Sequence, residues 1–192
     1  MKKFLILQLR PERDASDAEY ASILNRCGIT GDRAHRIRLD EETLPEGLQV
    51  TDYAGVIVGG GPGCVSDDPA EKPPMEARIE AAILSLMPQI TAHDHPFMGC
   101  CYGLGVLAVH LHGPVSKAQY GEPVGPVTCS LTAEGAQDPL TRGLPQQWEA
   151  FAGHKEAVQA LPDGCVQLVS SAPCPFQMIQ PYARLNFSRS GI

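Results

Sequence analysis

The chain has 192 residues, of which 43% are hydrophobic and 19% charged, and its formal net charge is −7 at pH 7. These values are typical of a globular domain with a sizeable core. The negative charge argues against non-specific nucleic-acid binding, which requires a basic surface. No window reaches the roughly 18 apolar residues that a membrane span needs. The N-terminal apolar run is also too short for a signal peptide, so we predict a cytoplasmic protein with neither nucleic acid nor membrane as a partner.

The seven cysteines do not form a recognisable binding pattern. Their number is odd and no C-x-x-C pair occurs, so neither a disulfide framework nor a structural zinc site is expected. The segment His93-Asp94-His95 is the nearest approach to a metal motif, and alone it is a weak signal. The sequence therefore predicts no metal and no cofactor.

The first 112 residues alternate between β-rich runs and helical patterns. This alternation predicts strands over residues 2–10, 36–40, 53–63 and 95–101, and helices over residues 16–28, 75–87 and 103–112. Ser16 and Glu19 have the spacing of a capping box, and Gly28 stands where a helix ends. Alternation of this kind predicts a parallel sheet covered on both faces.

The sequence pattern changes after residue 112. β-Branched runs interrupted by Gly and Pro predict short strands and hairpins with little helix. No internal repeat or linker separates the two parts, so we predict a single domain over residues 1–192.

The segment Gly99-Cys100-Cys101-Tyr102-Gly103 has the G-x-nucleophile-x-G spacing of a nucleophile elbow. Cys101 stands at its centre, just before a predicted helix whose N-terminal amides would stabilise a thiolate. The neighbouring Cys100 is expected to point into the sheet as a structural residue. If both cysteines were core residues, the flanking glycines would have no explanation.

A second glycine-rich segment, VGGGPGCVSD over residues 58–67, follows an apolar strand. Its main-chain amides could form the oxyanion hole that a cysteine nucleophile needs when it attacks a carbonyl group. The alternative is a phosphate-binding loop, but the segment matches neither G-x-x-x-x-G-K-[ST] nor G-x-G-x-x-G followed at once by a helix.

The glycine loop and the cysteine elbow, in this order and about forty residues apart, resemble the class I glutamine amidotransferases, in particular the glutaminase domain of GMP synthases. The S-G-G-P loop of that family corresponds to residues 59–62, and its G-x-C-x-G elbow to residues 99–103. The segments GHKEAVQALPDG (153–164) and SSAPCPFQMI (170–179) are also similar to family segments.

The resemblance implies a flavodoxin-like α/β three-layer sandwich with a mostly parallel central sheet and an antiparallel C-terminal portion. It implies that Cys101 attacks the side-chain amide of glutamine and forms a thioester. The amides of Gly61 and Tyr102 would hold the oxyanion. Gly60, Gly61, Tyr102 and His154 would bind the substrate, and a synthetase partner would receive the ammonia.

Three departures from the family pattern stand out. Leu104-Gly105 replaces the usual His-Gln, of which the glutamine helps to hold the substrate. Gly59 replaces a serine that is common in the loop. The C-terminal F-H-P-E motif, which carries the family's base and orienting acid, has no match, and the chain ends in PYARLNFSRSGI.

His154 is the best candidate for the missing base, because its family counterpart lines the glutamine pocket and Glu156 is close enough in sequence to orient it. A structural or substrate-binding role for His154 is the alternative. His35 is expected to be solvated. His93, His95, His110 and His112 are placed away from Cys101 by their positions in the predicted elements.

Two other functions stay open at this point. A catalytically degenerate glutaminase-like domain could bind a ligand or a partner, or another cysteine hydrolase could use the same architecture. The intracellular peptidase group has a histidine directly after its nucleophile, where this chain has Tyr102. The unusual C-terminal end indicates an incomplete domain, and the apolar surface it would expose predicts low stability or self-association, including a homodimer.

Overall fold

The computed structural model describes residues 1–181 of the chain. Within these residues the chain divides into two compact units, one over Met1–His110 and the other beginning at Leu111. The predictions about the C-terminal segment PYARLNFSRSGI lie outside the described residues from Tyr182 onward. No helix in the described part is both long and apolar enough to cross a membrane.

The first unit is a four-stranded parallel sheet with three helices. Its strands are β1 (Phe4–Gln8), β2 (Ala34–Arg38), β3 (Gly55–Val58) and β4 (Phe97–Gly99). They pair in the order β2-β1-β3-β4. The helices are α1 (Arg13–Cys27), α2 (Pro74–Ala92) and α3 (Tyr102–His110). The predicted alternation of strand and helix is confirmed.

The two central strands are buried on both faces, as parallel sheets require. Leu5, Ile6 and Leu7 of β1 are fully buried, and all four residues of β3 are buried as well. The predicted apolar face of α1 packs against Ile6 and Ile57 of this core, while α2 buries Ile79, Ile83 and Leu86. Hydrophobic burial along these strands and helices is the main force that holds the unit together.

The start of α1 differs from the prediction. The helix begins at Arg13, three residues before the predicted cap, and its N-cap residue Glu12 makes no side-chain cap. Ser16 is therefore buried inside the helix, where its hydroxyl accepts a hydrogen bond from Arg36. The end of the helix is as predicted, because Gly28 has the left-handed φ of 62° that favours glycine.

The second unit consists of strands with no α-helix in the described residues, as predicted, but two of its strands, with ten and eight residues, are longer than the short strands predicted. The strands are β5 (Val115–Ser116), β6 (Glu122–Leu131), β7 (Gln147–His154), β8 (Ala157–Val158), β9 (Cys165–Ser171) and β10 (Met178–Pro181). An antiparallel sheet has the order β10-β9-β6-β7, and β5 pairs with β8. Cys129, Leu168 and Val169 form the centre of its core. The chain is thus an α/β protein with a parallel sheet followed by an antiparallel one, whereas the one-domain prediction stays a prediction.

Candidate active site

The segment after β4 turns sharply into α3 and exposes Cys101 at the turn. The amide of Cys100 still belongs to the sheet, since it donates a hydrogen bond of 2.9 Å to the carbonyl of Val58. Cys101 then takes a φ of 52°, a left-handed conformation that non-glycine residues seldom adopt. Tyr102 is the first residue of α3. A strained, exposed residue between a strand and a helix is the geometry of a nucleophile elbow.

The two glycines that flank the elbow lie in close contact with neighbouring atoms. A β-carbon at Gly99 would lie 2.5 Å from the carbonyl atoms of Gly103, and one at Gly103 would lie 3.1 Å from the β-carbon of Val58. Real β-carbons do not approach other atoms as closely as 2.5 Å, so only glycine fits at position 99 without a shift of the backbone. The end of β4 and the start of α3 therefore contact each other directly through backbone atoms. The predicted reason for the glycines, crowding at a tight turn, is confirmed for Gly99, whereas a side chain at Gly103 would instead meet Val58 of β3.

The glycine loop lies directly beside the elbow. A β-carbon built at Gly60 would be 3.7 Å from the β-carbon of Cys101. The amide of Gly59 donates to the carbonyl of Leu7 at 3.0 Å, and the amide of Gly60 donates to Glu19 Oε1 at 3.0 Å. Within residues 1–181 the amide of Gly61 donates no hydrogen bond, so it is available for an incoming oxyanion.

Glu19 organises this loop from α1. Its Oε1 accepts from the Gly60 amide, and its Oε2 accepts from Gln8 Nε2 at 2.8 Å. Arg10 lies 3.7 Å from the same carboxylate through Nε. A β-carbon built at Gly60 would lie 3.0 Å from the guanidinium of Arg10. Because the same position is 3.7 Å from the β-carbon of Cys101, Arg10 and Cys101 both lie next to Gly60. A carboxylate and a guanidinium therefore flank the loop.

A small cleft, partly open to solvent, adjoins the loop. It is lined by Leu9, Gly61, Gly63, Glu76, Ile79 and Tyr102, among others. Gly61 and Tyr102, the two residues predicted to form the oxyanion hole, thus share one cleft. The carboxylate of Glu76 gives this otherwise apolar cleft an acidic group.

The Tyr102 side chain is fixed by a buried charge network. Its hydroxyl donates a 2.8 Å hydrogen bond to Glu80 Oε2, and the same oxygen accepts from Lys72 Nζ at 2.5 Å. The Lys72 side chain is only 3% exposed, so the ion pair is shielded from water. The network anchors the first residue of α3 and with it the main chain directly after the nucleophile.

Cys100 differs from the prediction that it is a structural residue pointing into the sheet, because it is exposed. Loss of hydration at its thiol, followed by the negative charge of Glu19, nevertheless raises the pKa of Cys100. A thiol with a raised pKa is a poor nucleophile at neutral pH. The two adjacent cysteines therefore have different environments, and Cys101 is the one at the strained turn.

The contacts found for the histidines of the first unit do not involve the elbow residues 99–103. His35 was expected to be solvated, but its Nδ1 contacts the hydroxyl of Tyr53 at 2.7 Å and the two rings stack. His93 caps the end of α2, and His95 follows it before β4. Loss of hydration lowers the pKa of His95. The Nε2 atom of His110, at the far end of α3, lies 3.1 Å from the hydroxyl of Thr91.

His154 closes β7 in the second unit and is held from both sides. Its Nε2 lies 2.6 Å from Glu122 Oε2, and its Nδ1 lies 2.9 Å from the main-chain carbonyl of Glu156. The prediction that the carboxylate of Glu156 orients this ring is wrong, since Glu156 contacts it through the backbone and Glu122 supplies the carboxylate. With both ring nitrogens engaged, His154 would have to break a contact before it could accept a proton.

The sequence did not reveal Glu19, Arg10 or Glu122 as site residues. Glu19 was assigned to a helix cap, and its reach to Gly60 is a contact across 41 positions. Glu122 meets His154 across 32 positions. Only a strand order and register, which one sequence does not supply, could have brought these residues together.

Comparisons with known proteins show the family to which the chain belongs. Residues 20–180 match the family described as glutamine amidotransferase class-I. The chain is 28% identical over 151 residues to the glutamine-hydrolyzing GMP synthase of Lactobacillus delbrueckii subsp. bulgaricus, and the match covers 72% of this chain and 26% of that protein. It is 29% identical over 149 residues to a glutamine-hydrolyzing GMP synthase subunit of Natronomonas pharaonis, and the match covers 78% of this chain and 68% of that relative.

Solved structures with the same fold are also similar. A glutamine amido transferase from Methylobacillus flagellatus matches 94% of this chain and 66% of its own, with a TM-score of 0.70 and 24% identity. A glutamine amidotransferase from Thermotoga maritima matches 95% of this chain and 74% of its own, with a TM-score of 0.71 and 17% identity. The chain spans about a quarter of the length of the first GMP synthases it matches. From the family match over residues 20–180, the chain belongs to the class I glutamine amidotransferases.

Proposed function

We propose that this chain hydrolyses the side-chain amide of glutamine and releases ammonia, with Cys101 as the nucleophile. The observation that carries the proposal is the left-handed, exposed Cys101 beside the glycine loop, in which the Gly61 amide donates no hydrogen bond within the described residues. This arrangement suits attack on a carbonyl group, because the nucleophile and an oxyanion donor lie at the same edge of the sheet.

The proposed reaction has two halves. The Cys101 thiolate attacks the amide carbon of glutamine, and the amides of Gly61 and Tyr102 stabilise the resulting oxyanion. The carbon–nitrogen bond then breaks, the nitrogen gains a proton and leaves as ammonia, and a thioester remains on Cys101. Water hydrolyses the thioester to glutamate and regenerates the thiol.

The substrate would occupy the cleft beside Gly61. Its acidic residue, Glu76, suits the positive amino group of glutamine, and Tyr102 is part of its wall. Gly60 acts on the substrate through the shape of the loop, because its own amide is committed to Glu19. The assignment of His154 as base stays a prediction, and its two contacts within the second unit favour a structural role instead.

The proposal extends to partners and location. The relatives named GMP synthase are described as glutamine-hydrolyzing, and the ammonia from this chain would pass to a synthetase partner. A cytoplasmic location and a homodimer stay predictions. The degenerate binding domain and the other cysteine hydrolase are less favoured, because the elbow is intact and the family match covers most of the chain.

The test is ammonia release from glutamine, measured for the parent chain and for two single variants. Cys101→Ala should abolish release, whereas Cys100→Ala, the matched control one residue away, should retain most of it. Mass spectrometry of a rapidly quenched reaction should find the glutamyl adduct on the peptide that contains Cys101. Release that survives Cys101→Ala, or a parent chain that releases no ammonia and forms no adduct, would contradict the proposal.

The role of His154 is tested separately by His154→Gln. If His154 is the base, this variant should lose ammonia release by about 10²-fold or more, the usual contribution of a general base. If it is structural, release per folded molecule should change little while thermal stability falls. The second result would exclude His154 as the base without affecting the assignment of Cys101.

A further inference from the structure

Three side chains with metal-binding atoms converge in the second unit, away from the elbow in sequence. Glu122 begins β6, His154 ends β7, and Cys174 lies in the turn between β9 and β10. Glu122 and His154 face each other in the register of the antiparallel sheet. A carboxylate oxygen, a ring nitrogen and the sulfur all lie within 4.8 Å of one another. The cluster includes none of Cys101, Gly61 and Tyr102, to which the proposed glutaminase chemistry assigns the nucleophile and the oxyanion hole.

The ring of His154 is oriented as in a metal site. Its Nδ1 lies 2.9 Å from the backbone carbonyl oxygen of Glu156. A carbonyl oxygen can only accept a hydrogen bond, so Nδ1 must be the donor and carry a proton. A metal ion that binds the cluster would replace the proton between Nε2 and Glu122 Oε2, and the Nε2 lone pair would then point at the ion. A histidine that ligates a metal commonly donates its other nitrogen to a backbone carbonyl in this way.

Glu122 provides a second and independent observation. It is 5% exposed, and its Oε1 is buried without a hydrogen-bond partner in the described residues. Its other oxygen, Oε2, accepts from Gln177 Nε2 at 2.6 Å. A buried carboxylate oxygen without a donor is costly, and a bound cation is one of the few groups that removes that cost.

We propose that Glu122, His154 and Cys174 bind a zinc ion. Sulfur, nitrogen and oxygen ligands together suit Zn²⁺, whereas Mg²⁺ and Ca²⁺ require oxygen ligands. Bonds of about 2.0–2.3 Å place neighbouring ligands of a tetrahedral ion roughly 3.3–3.7 Å apart. The observed separations, from 2.6 Å to at most 4.8 Å, bracket this value, so small side-chain shifts complete the site.

A tetrahedral ion would have a fourth position, and His154 is the most exposed of its three ligands. Cys174 is 2% exposed, whereas the His154 side chain is 16% exposed, so a water molecule or an added ligand can reach the ion from there. Binding would tie the turn before β10 to the ends of β6 and β7. Because the ion binds only the folded unit, it would raise the free energy of unfolding.

The test uses the whole chain, stripped of metal with a chelator and titrated with Zn²⁺ against a chromophoric chelator. The proposal predicts one tight equivalent that Cys174→Ser, His154→Gln and Glu122→Gln each weaken by about tenfold or more. Cys165→Ser, which removes another buried cysteine outside the cluster, is the matched control and should bind as the parent does. All titrations are repeated with the exposed Cys27, Cys100 and Cys101 changed to serine, so that surface thiols do not contribute.

Cobalt(II) gives a readout that does not depend on stability or on glutamine hydrolysis. Co²⁺ in the site should show the charge-transfer absorption of a thiolate ligand, and Cys174→Ser should lose that band while His154→Gln alters it. The near-ultraviolet circular dichroism of each variant reports whether it is folded. The absence of a tight equivalent in the parent, or binding that Cys174→Ser and His154→Gln leave unchanged, would overturn the proposal and identify a plain His154–Glu122 ion pair.

Discussion

The carboxylate of Glu19 accepts a hydrogen bond from the amide of Gly60, and this contact connects α1 to the loop beside Cys101. Gly59 fits the same carboxylate, because a β-carbon at that position would lie only 2.6 Å from Glu19 Oε2. The glycine that replaces the serine common in the family therefore makes room for Glu19. The amides of Gly59 and Gly60 donate hydrogen bonds within the fold, whereas the proposal assigns the amide of Gly61 to the oxyanion.

Glu19→Ala should weaken both stability and the oxyanion site. It leaves the buried amide of Gly60 without an acceptor, which costs about 1–3 kcal/mol of the free energy of unfolding. We also expect the loop to shift and to raise the activation free energy by ~1.4 kcal/mol, which would reduce the rate of ammonia release about tenfold. Denaturant unfolding and glutamine hydrolysis measure the two effects.

Glu19→Gln is the matched control for this variant. Its amide oxygen can still accept from Gly60, but its NH₂ group would face Gln8 Nε2, so its stability and activity should lie between those of the parent and of Glu19→Ala. If Glu19→Ala were as stable and as active as the parent, the bond to Gly60 would have no role in holding the loop.

Gly99→Ala should disrupt the elbow, whereas Gly31→Ala should be almost silent. The new β-carbon at position 99 would meet the carbonyl atoms of Gly103 at 2.5 Å, and backbone atoms in a packed turn have little room to move. We expect a loss of about 3 kcal/mol in the free energy of unfolding for Gly99→Ala. Gly31 is exposed with no atom within 4 Å of a β-carbon, so its variant should stay within about 0.5 kcal/mol of the parent.

Thermal and denaturant unfolding of the two glycine variants provide the measurement. Equal destabilisation would show that loss of glycine as such, and not the contact between β4 and α3, is responsible. A folded Gly99→Ala protein should still have lost ammonia release, because any shift that relieves the contact displaces Cys101 as well.

The elbow was predictable from the sequence because its determinants are local. Gly99 and Gly103 stand two positions on either side of Cys101, and the strand and helix around them follow from short hydrophobic patterns. The β1–α1–β2 and β3–α2–β4 alternation is local for the same reason. In each case the interactions that fix the conformation lie within a few residues of one another.

The environment of the elbow was not predictable from one sequence. Ser16 and Glu19 match a capping box, but α1 begins at Arg13, and the tertiary contacts of Glu19 with Gly60 and Gln8 replace the local one. The Glu122–His154 pair depends on a register in β6 and β7 that includes a shift between Glu122 and Gly125. Strand register is set by packing across the whole sheet, and a pattern within one strand does not determine it.

Alkylation should distinguish the two adjacent cysteines. Loss of hydration and the charge of Glu19 raise the pKa of Cys100, so the fraction of its thiolate is small at neutral pH and increases only as the pH becomes alkaline. Brief treatment with iodoacetamide at pH 7 should therefore modify Cys101 well before Cys100. Peptide mass spectrometry at a series of pH values measures both rates in one sample.

Glu19→Ala supplies a control for that assignment. Removal of the neighbouring negative charge should make Cys100 react faster at a given pH, because one of the two main causes of its raised pKa is gone. Modification of Cys100 as fast as Cys101 at pH 7 in the parent chain would contradict the different environments that we assign to them.

Tyr102→Phe should lower stability more than activity. The variant removes the donor to Glu80 but leaves this carboxylate paired with Lys72, so we expect a loss of about 1.5–3 kcal/mol in the free energy of unfolding, the usual range for a hydrogen bond to a charged group. The main-chain amide at position 102, to which the proposal assigns the oxyanion, is unchanged. Ammonia release at saturating glutamine should therefore stay within about threefold of the parent, a barrier change below about 1 kcal/mol. A large loss of kcat without loss of stability would instead assign the hydroxyl of Tyr102 to the substrate, and the network with Glu80 and Lys72 would then be a support for catalysis rather than for the fold.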